Sequence, residues 1–135
     1  MKVSILISTY NGGKEIPLLL NSIQRLALGS HEMEVILRDD NSSDGTMEKV
    51  SKNYPWVKLI QSKRNIGFVK SSNIAMSHAT GDVLCCVNQD TILDSHFLLE
   101  GLAAGSYELK VQATAFAENG IERVEDGLLI VYTYK

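Results

Sequence analysis

Val83-Leu84-Cys85-Cys86-Val87-Asn88-Gln89-Asp90-Thr91 is an apolar run that stops abruptly in two amides and a carboxylate. Such a run reads as a strand buried within a parallel sheet, and its polar end then lies at the sheet mouth, where open α/β folds bind ligands. Two other apolar runs end in the same way. Ser4-Ile5-Leu6-Ile7-Ser8 leads into Thr9-Tyr10-Asn11, and Val35-Ile36-Leu37 leads, past Arg38, into Asp39-Asp40-Asn41. Three polar strand ends on one sheet edge point to one shared ligand.

Outward from these runs, residues 2–102 alternate short β-branched stretches with amphipathic ones, the pattern of βαβ units around a parallel sheet. Ile16, Leu19, Leu20, Ile23 and Leu26 recur at helical spacing, with Pro17 in the first turn, where a missing N–H does no harm. A second helix is expected to start within Ser42-Ser43-Asp44-Gly45-Thr46, capped by Ser43 or Asp44. It buries Met47, Val50 and Tyr54 before Pro55 stops it. A short strand, Val57 to Ile60, follows. The third helix, Gly67 to Ala79, places Phe68, Ser72, Ala75 and Ala79 on one stripe, and Gly81 ends it. Beyond Leu102 the pattern turns to alternation around Asn119-Gly120 and Asp126-Gly127, which reads as β-hairpin material with an acidic, solvated connection.

The bulk properties narrow the field. A chain of 135 residues, 44% hydrophobic, is long enough for one domain with a real core. A formal charge of −3 offers no basic surface, so no nucleic-acid partner is expected. No apolar segment reaches the roughly 20 residues that span a bilayer, and no export signal opens the chain, so a cytoplasmic location is expected. Cys85 and Cys86 are adjacent on a strand and point to opposite faces, which suits buried thiols and not a shared metal.

Four polar clusters are candidate chemistry. Ser8-Thr9-Tyr10-Asn11-Gly12-Gly13 is either a plain strand-to-helix turn or a receiver for a flat heterocycle or phosphate, and it lacks the Gly-x-Gly-x-x-Gly of dinucleotide folds. Asp39 follows its strand directly, so its carboxylate is placed to accept an N–H from a base edge. Asn65-Ile66-Gly67-Phe68 opens a helix that carries Asn73 two turns on. Each asparagine reads equally as a cap or surface amide and as a ligand, and Lys70 reads as a solvated cation. Asp90 either ends its strand or caps the helix near Asp94, or it holds a hard cation whose shell a diphosphate and waters complete.

Taken together and in order, Val3-Ser4-Ile5-Leu6-Ile7-Ser8-Thr9-Tyr10-Asn11, Asp39-Asp40-Asn41-Ser42-Ser43-Asp44-Gly45-Thr46, Asn65-Ile66-Gly67-Phe68 with Asn73, and Gly81-Asp82-Val83 with Asn88-Gln89-Asp90-Thr91 resemble the amino-terminal half of family 2 glycosyltransferases. The form Asn-x-Asp-Thr is similar to the rhamnosyltransferase-type branch. The resemblance implies an α/β, Rossmann-like GT-A fold: a mostly parallel sheet flanked by helices, with a C-terminal β-hairpin. Within a single domain, residues 1–104 would be the nucleotide-sugar-binding βα units, and 105–135 a hairpin in place of a longer acceptor part.

By the same likeness Thr9, Tyr10 and Asn11 would line the nucleobase pocket and Asp39 would bind the base N–H. Asn88 would lie near the ribose or sugar, with Asn65, Gly67 and Asn73 supporting the donor pocket. Asp90 would hold Mg²⁺ or Mn²⁺ on the diphosphate. The implied activity is sugar transfer with inversion from a UDP- or dTDP-sugar to a glycan or lipid-linked acceptor, at the inner face of the cell membrane. Position 88 is Asn where many members carry Asp, and no general base is evident, since Glu118, Glu122, Glu125 and Asp126 fall in a solvated turn. The rival readings are a noncatalytic nucleotide-sugar-binding or subunit-interaction module, and a nucleotidyl-transfer domain. The latter needs a basic loop, and Asn11-Gly12-Gly13-Lys14 supplies one lysine. An unpaired strand edge near Tyr132 to Lys135 would suit pairing into a homo-oligomer.

Overall fold

Buried β-branched runs separated by helices can satisfy their backbone only in a shared sheet, and the chain does so with βαβ crossovers. The computed structural model describes residues 1–103, together with the backbone of strands 116–117, 120–121 and 130–133. The elements in chain order are β1 (Lys2–Thr9), α1 (Glu15–Gln24), β2 (Glu32–Asp39), α2 (Thr46–Asn53), β3 (Lys58–Gln61), α3 (Phe68–Ser77), β4 (Val83–Asn88) and α4 (Phe97–Ala103). The short strands β5 (Phe116–Ala117), β6 (Gly120–Ile121) and β7 (Ile130–Thr133) follow. The main sheet has the order β3-β2-β1-β4-β7, parallel except for β7, which pairs antiparallel with β4. β5 and β6 pair with each other. The expected hairpin with its acidic turn at Glu118, Glu122, Glu125 and Asp126 otherwise lies outside the described residues.

Alternation along each strand divides the sheet into two faces. Val3, Ile5, Ile7, Val35, Leu37, Val83, Cys85 and Val87 enter the larger core with Ile16, Leu19, Leu20 and Ile23 of α1 and Val50 of α2. Leu6, Ile36 and Leu84 meet Ala75 of α3 on the other face. Cys85 and Cys86 accordingly part to opposite faces, and burial pushes both thiols up, Cys86 to about 12, so neither is a reactive thiolate.

Two helix expectations differ from what is seen. The buried residues of α3 are Ser71 and Ala75, while Phe68 is 42% exposed. A stripe of small residues has no dominant apolar phase, so the helix settles with Ser71 and Ala75 inward, and the Phe68 ring, still beside Leu6, Ser8 and Cys86 of the sheet, is left partly uncovered at the cleft. The cap position of α2 is Gly45, with φ +82°, and not Ser43 or Asp44. Asp44, one residue earlier, still accepts the Thr46 N–H at 3.1 Å, and it also accepts the Gly13 N–H at 2.9 Å from the neighbouring loop. Serving two loops explains its place outside the helix, and these hydrogen bonds, led by that from the Thr46 hydroxyl, hold its carboxyl below the usual range.

At the opposite end of the sheet, Glu34 accepts from the Ser4 hydroxyl and from the Thr80 N–H at 2.7 Å, and it pairs with Lys2 at 3.4 Å. Burial alone would raise its carboxyl, but these hydrogen bonds and the Lys2 charge outweigh it and hold the pKa at about 2, against an ordinary 4.5. A depressed folded-state pKa stabilises in full above the unfolded value and loses that contribution as pH falls to about 2. Wild type is therefore expected to lose stability steeply between pH 4.5 and 2 in denaturant titrations. Glu34→Gln should flatten that slope without abolishing it, since Asp44 contributes in the same direction. An unchanged slope would remove Glu34 as the cause.

Among the described residues no helix is long and apolar enough to cross a membrane.

Candidate donor-binding cleft

Because β1, β2 and β4 are parallel, their polar ends converge. The cleft there has a volume of about 380 Å³ and is lined by Ser8, Thr9, Tyr10, Asp40, Asn65, Gly67, Phe68, Asn88, Gln89 and Asp90. Of the residues singled out from sequence, Thr9, Tyr10, Asn65, Gly67, Asn88 and Asp90 are thus gathered in one place. Asn11, Asp39 and Asn73 are not among its walls.

Tyr10 is half exposed and Phe68 nearly so, which leaves two aromatic faces at the cleft. Aromatic faces of this kind receive flat heterocycles. Thr9 is buried and its hydroxyl donates to Gln89 Oε1 at 2.7 Å, so it shapes the cleft through a partner. Asn11, held at φ +50°, gives its N–H to the Ser42 hydroxyl and its own Oδ1 accepts the Ser43 N–H, which ties the loop after β1 to the loop after β2. Asn73 lies half-buried on α3.

The two aspartates at the end of β2 have different partners. Asp39 is fully buried, pairs in register with Thr9, and accepts the Ser42 N–H on Oδ2 at 3.0 Å. Its Oδ1 is shut off from water and has no hydrogen-bond partner. Asp40 accepts the N–H groups of Ile66 and Gly67, each at 2.9 Å, and thereby anchors the loop that carries Asn65. Gly67 sits at φ +90°, ψ 159°, backbone open in practice only to glycine, and this lets its N–H reach Asp40.

Asp90 resolves an alternative that the sequence left open. The first turn of α4 is served by Asp94, whose Oδ1 accepts the His96 N–H at 2.8 Å and whose carbonyl accepts the Phe97 N–H. Asp90 is exposed in the cleft, and its carboxylate has no hydrogen bond among the described residues. The chain beyond it is held against α1 by the Leu93 N–H on Ser22 Oγ and the Ala27 N–H on the Ser95 carbonyl. Among the described residues no three His, Cys, Asp or Glu converge. The donor set therefore fits a hard divalent cation only with phosphate oxygens and waters filling most of its shell.

Gln89, the middle residue of Asn-x-Asp, carried no expected role. Its Oε1 accepts both the Thr9 hydroxyl and, at 3.1 Å, the Tyr10 N–H, linking the end of β4 to the end of β1. Gly12 makes room for this link, since a Cβ there would lie 2.8 Å from Ile16 Cγ1 and 2.9 Å from Gln89 Oε1. A cross-strand link of this kind has no sequence signal beyond a polar residue in a strand end. Gln89→Glu keeps the acceptor and should melt within about 2 °C of wild type, whereas Gln89→Leu strands the Tyr10 N–H and should cost about 1–2 kcal/mol. Equal melting of the two variants would rule out the link.

Comparison with known proteins agrees with this geometry. Residues 4–117 match the family model described as Glycosyl transferase family 2. The chain is 34% identical over 106 residues to poly(ribitol-phosphate) beta-N-acetylglucosaminyltransferase TarS of Staphylococcus aureus, covering 76% of this chain and 18% of that protein. It is 34% identical over 93 residues to a dolichol-phosphate mannosyltransferase of Pyrococcus furiosus, covering 67% and 26% respectively. The chain thus spans about a fifth to a quarter of the length of these relatives. The crystal structure of S. aureus TarS 1-349 in complex with UDP superimposes with a TM-score of 0.71 at 33% identity, covering 76% of this chain and 31% of that one. With the helix-flanked sheet matching GT-A glycosyltransferase structures and the family model covering most of its length, this chain belongs to glycosyl transferase family 2.

Proposed function

We propose that the cleft is the donor site of a glycosyltransferase that moves a sugar, with inversion, from a nucleoside-diphosphate sugar to a glycan or lipid-linked acceptor at the cytoplasmic face of the membrane. The observation that carries this reading is the pairing, in one cleft, of the half-exposed Tyr10 ring with the unengaged Asp90 carboxylate. Tyr10 stacks the base and Asn88 meets the ribose or sugar, while the unpartnered Oδ1 of Asp39, buried beside the lining Thr9 with which it is in register, would accept the base N–H once the ligand reaches it. Asn65 and Gly67 border the donor, and Asn11 and Asn73 support that wall from outside it. Asp90, with Asn88 beside it, would hold Mg²⁺ or Mn²⁺ against the diphosphate, and such an ion offsets charge on a departing diphosphate. Solved structures of the similar TarS carry UDP and UDP-GlcNAc, which makes a UDP-sugar the first donor to test.

A second reading, a donor-binding module without transfer of its own, is favoured by one observation. Among the described residues the carboxylates lining the cleft are Asp40, whose oxygens are committed to backbone, and Asp90, assigned above to the metal, so neither is free to act as general base.

Titration calorimetry with UDP and dTDP, each with and without Mn²⁺, tests the site. Wild type should bind more tightly with metal, and Asp90→Asn should lose that metal dependence while retaining weak metal-free binding. No nucleotide binding at millimolar concentration would overturn the donor-site reading. Sugar transfer or donor hydrolysis by the metal-loaded chain would decide for the enzyme over the module.

A further inference from the structure

Arg38 has no role in anything described above. It lies on β2 with 5% of its surface exposed, and its Nε is shut off from water with no hydrogen-bond partner. The ion pairs among the described residues are Lys2–Glu34 and His96–Asp94, so no carboxylate there neutralises it. Asp40, two residues on and just past the end of β2, has both oxygens committed to the N–H groups of Ile66 and Gly67. A guanidinium does not shed its proton to escape burial, and an unpaired buried charge is strongly destabilising. Packing alone would favour an aliphatic residue here, as at Val35, Ile36 and Leu37 before it.

Its place in the sheet indicates what the charge is for. Arg38 pairs in register with Ser8, which pairs in turn with Asn88, so the three share one row on the α3 face. Ser8 and Asn88 line the cleft, as does Asp40 just beyond β2. Among the described residues the lining includes two carboxylates and no Lys, Arg or His. A phosphate entering the cleft therefore meets negative walls among the described residues, and Arg38 is a fixed cation in the strand row that adjoins them. Guanidinium donors match phosphate oxygens in geometry and in charge.

We propose that Arg38 is an anion-recognition residue beneath the cleft, donating to a phosphate oxygen of the bound nucleotide. This rests on the nucleotide reading of the cleft, and it adds a fixed positive charge to any that a metal brings at Asp90.

The test compares wild type, Arg38→Met and Arg38→Lys by thermal melting without ligand and by titration with UDP, pyrophosphate and uridine. Arg38→Met, similar in length but uncharged, should melt at the same temperature or a few degrees higher. Its affinity for UDP and for pyrophosphate should fall at least tenfold, with uridine unchanged and Arg38→Lys intermediate. A variant that melts lower and binds UDP like wild type would make Arg38 a structural residue and overturn the proposal. An equal loss for uridine would move the contact to a base carbonyl and overturn the phosphate assignment. If wild type binds pyrophosphate through Arg38 but neither UDP nor uridine, the nucleotide reading fails and the anion site stands; binding of none of the three overturns both.

Discussion

Asp39→Asn is expected to reduce UDP affinity about 100-fold while leaving the fold intact. Asp39 is fully buried, and only its Oδ2 is used, by the Ser42 N–H. Its Oδ1 is an acceptor with no donor, a costly arrangement that a ligand N–H would relieve. Asparagine keeps one oxygen for Ser42 and puts an NH₂ where Oδ1 stood, so a ligand N–H would face a donor. Losing a charge-assisted hydrogen bond of about 1.5–3 kcal/mol and adding that opposition gives the stated magnitude. The melting temperature should hold or rise, because a buried carboxylate charge without a counter-ion among the described residues gives way to a neutral amide. Calorimetry beside thermal melting checks both parts, and wild-type affinity in the variant would end the base-contact role of Asp39.

The neighbouring substitution should do the reverse. Asp40 is 3% exposed and receives two backbone N–H groups at 2.9 Å. An asparagine in its place would satisfy one and leave the other facing an amide NH₂, so Asp40→Asn should cost about 2–3 kcal/mol and lower the melting temperature by roughly 10 °C. Nucleotide binding should weaken as well, because the loop carrying Asn65 and Gly67 loses its anchor, but that loss should track the loss of stability. If Asp40→Asn melts like wild type, the anchor role is wrong. Asp39 ends β2 and Asp40 follows it, and their different neighbours make two identical residues a half-used acceptor and a loop anchor.

Much of this was legible in the residues. The apolar runs at 3–7, 35–37 and 83–87 could bury both faces only inside a parallel sheet, and that placed their polar ends on one edge. The places of Tyr10, Asn88 and Asp90 follow from that geometry, Asn65 came in only with the family resemblance, and the order of these motifs along the chain carried that resemblance. The phase of α3 was less legible, because small residues at several helical spacings leave burial undetermined until the helix meets the sheet. The cap of α2 was misplaced for a related reason. Asp44 has good capping chemistry, but a contact with Gly13, some thirty residues away in sequence, holds it one position early.

The sequence by itself determined the fold class, the edge of the sheet that bears the site and the identity of most groups on it, because these depend on local periodicity and on where apolar runs stop. Only the tertiary structure decided which polar atoms are already used. Gln89 linking two strand ends, Asp40 occupied and Asp39 half free, and Arg38 buried without a counter-charge among the described residues all depend on contacts between segments far apart in the chain. Whether a hydrogen-bonding group is spent or available is set by three-dimensional neighbours, and at this cleft that availability separates scaffold groups from candidate ligand contacts.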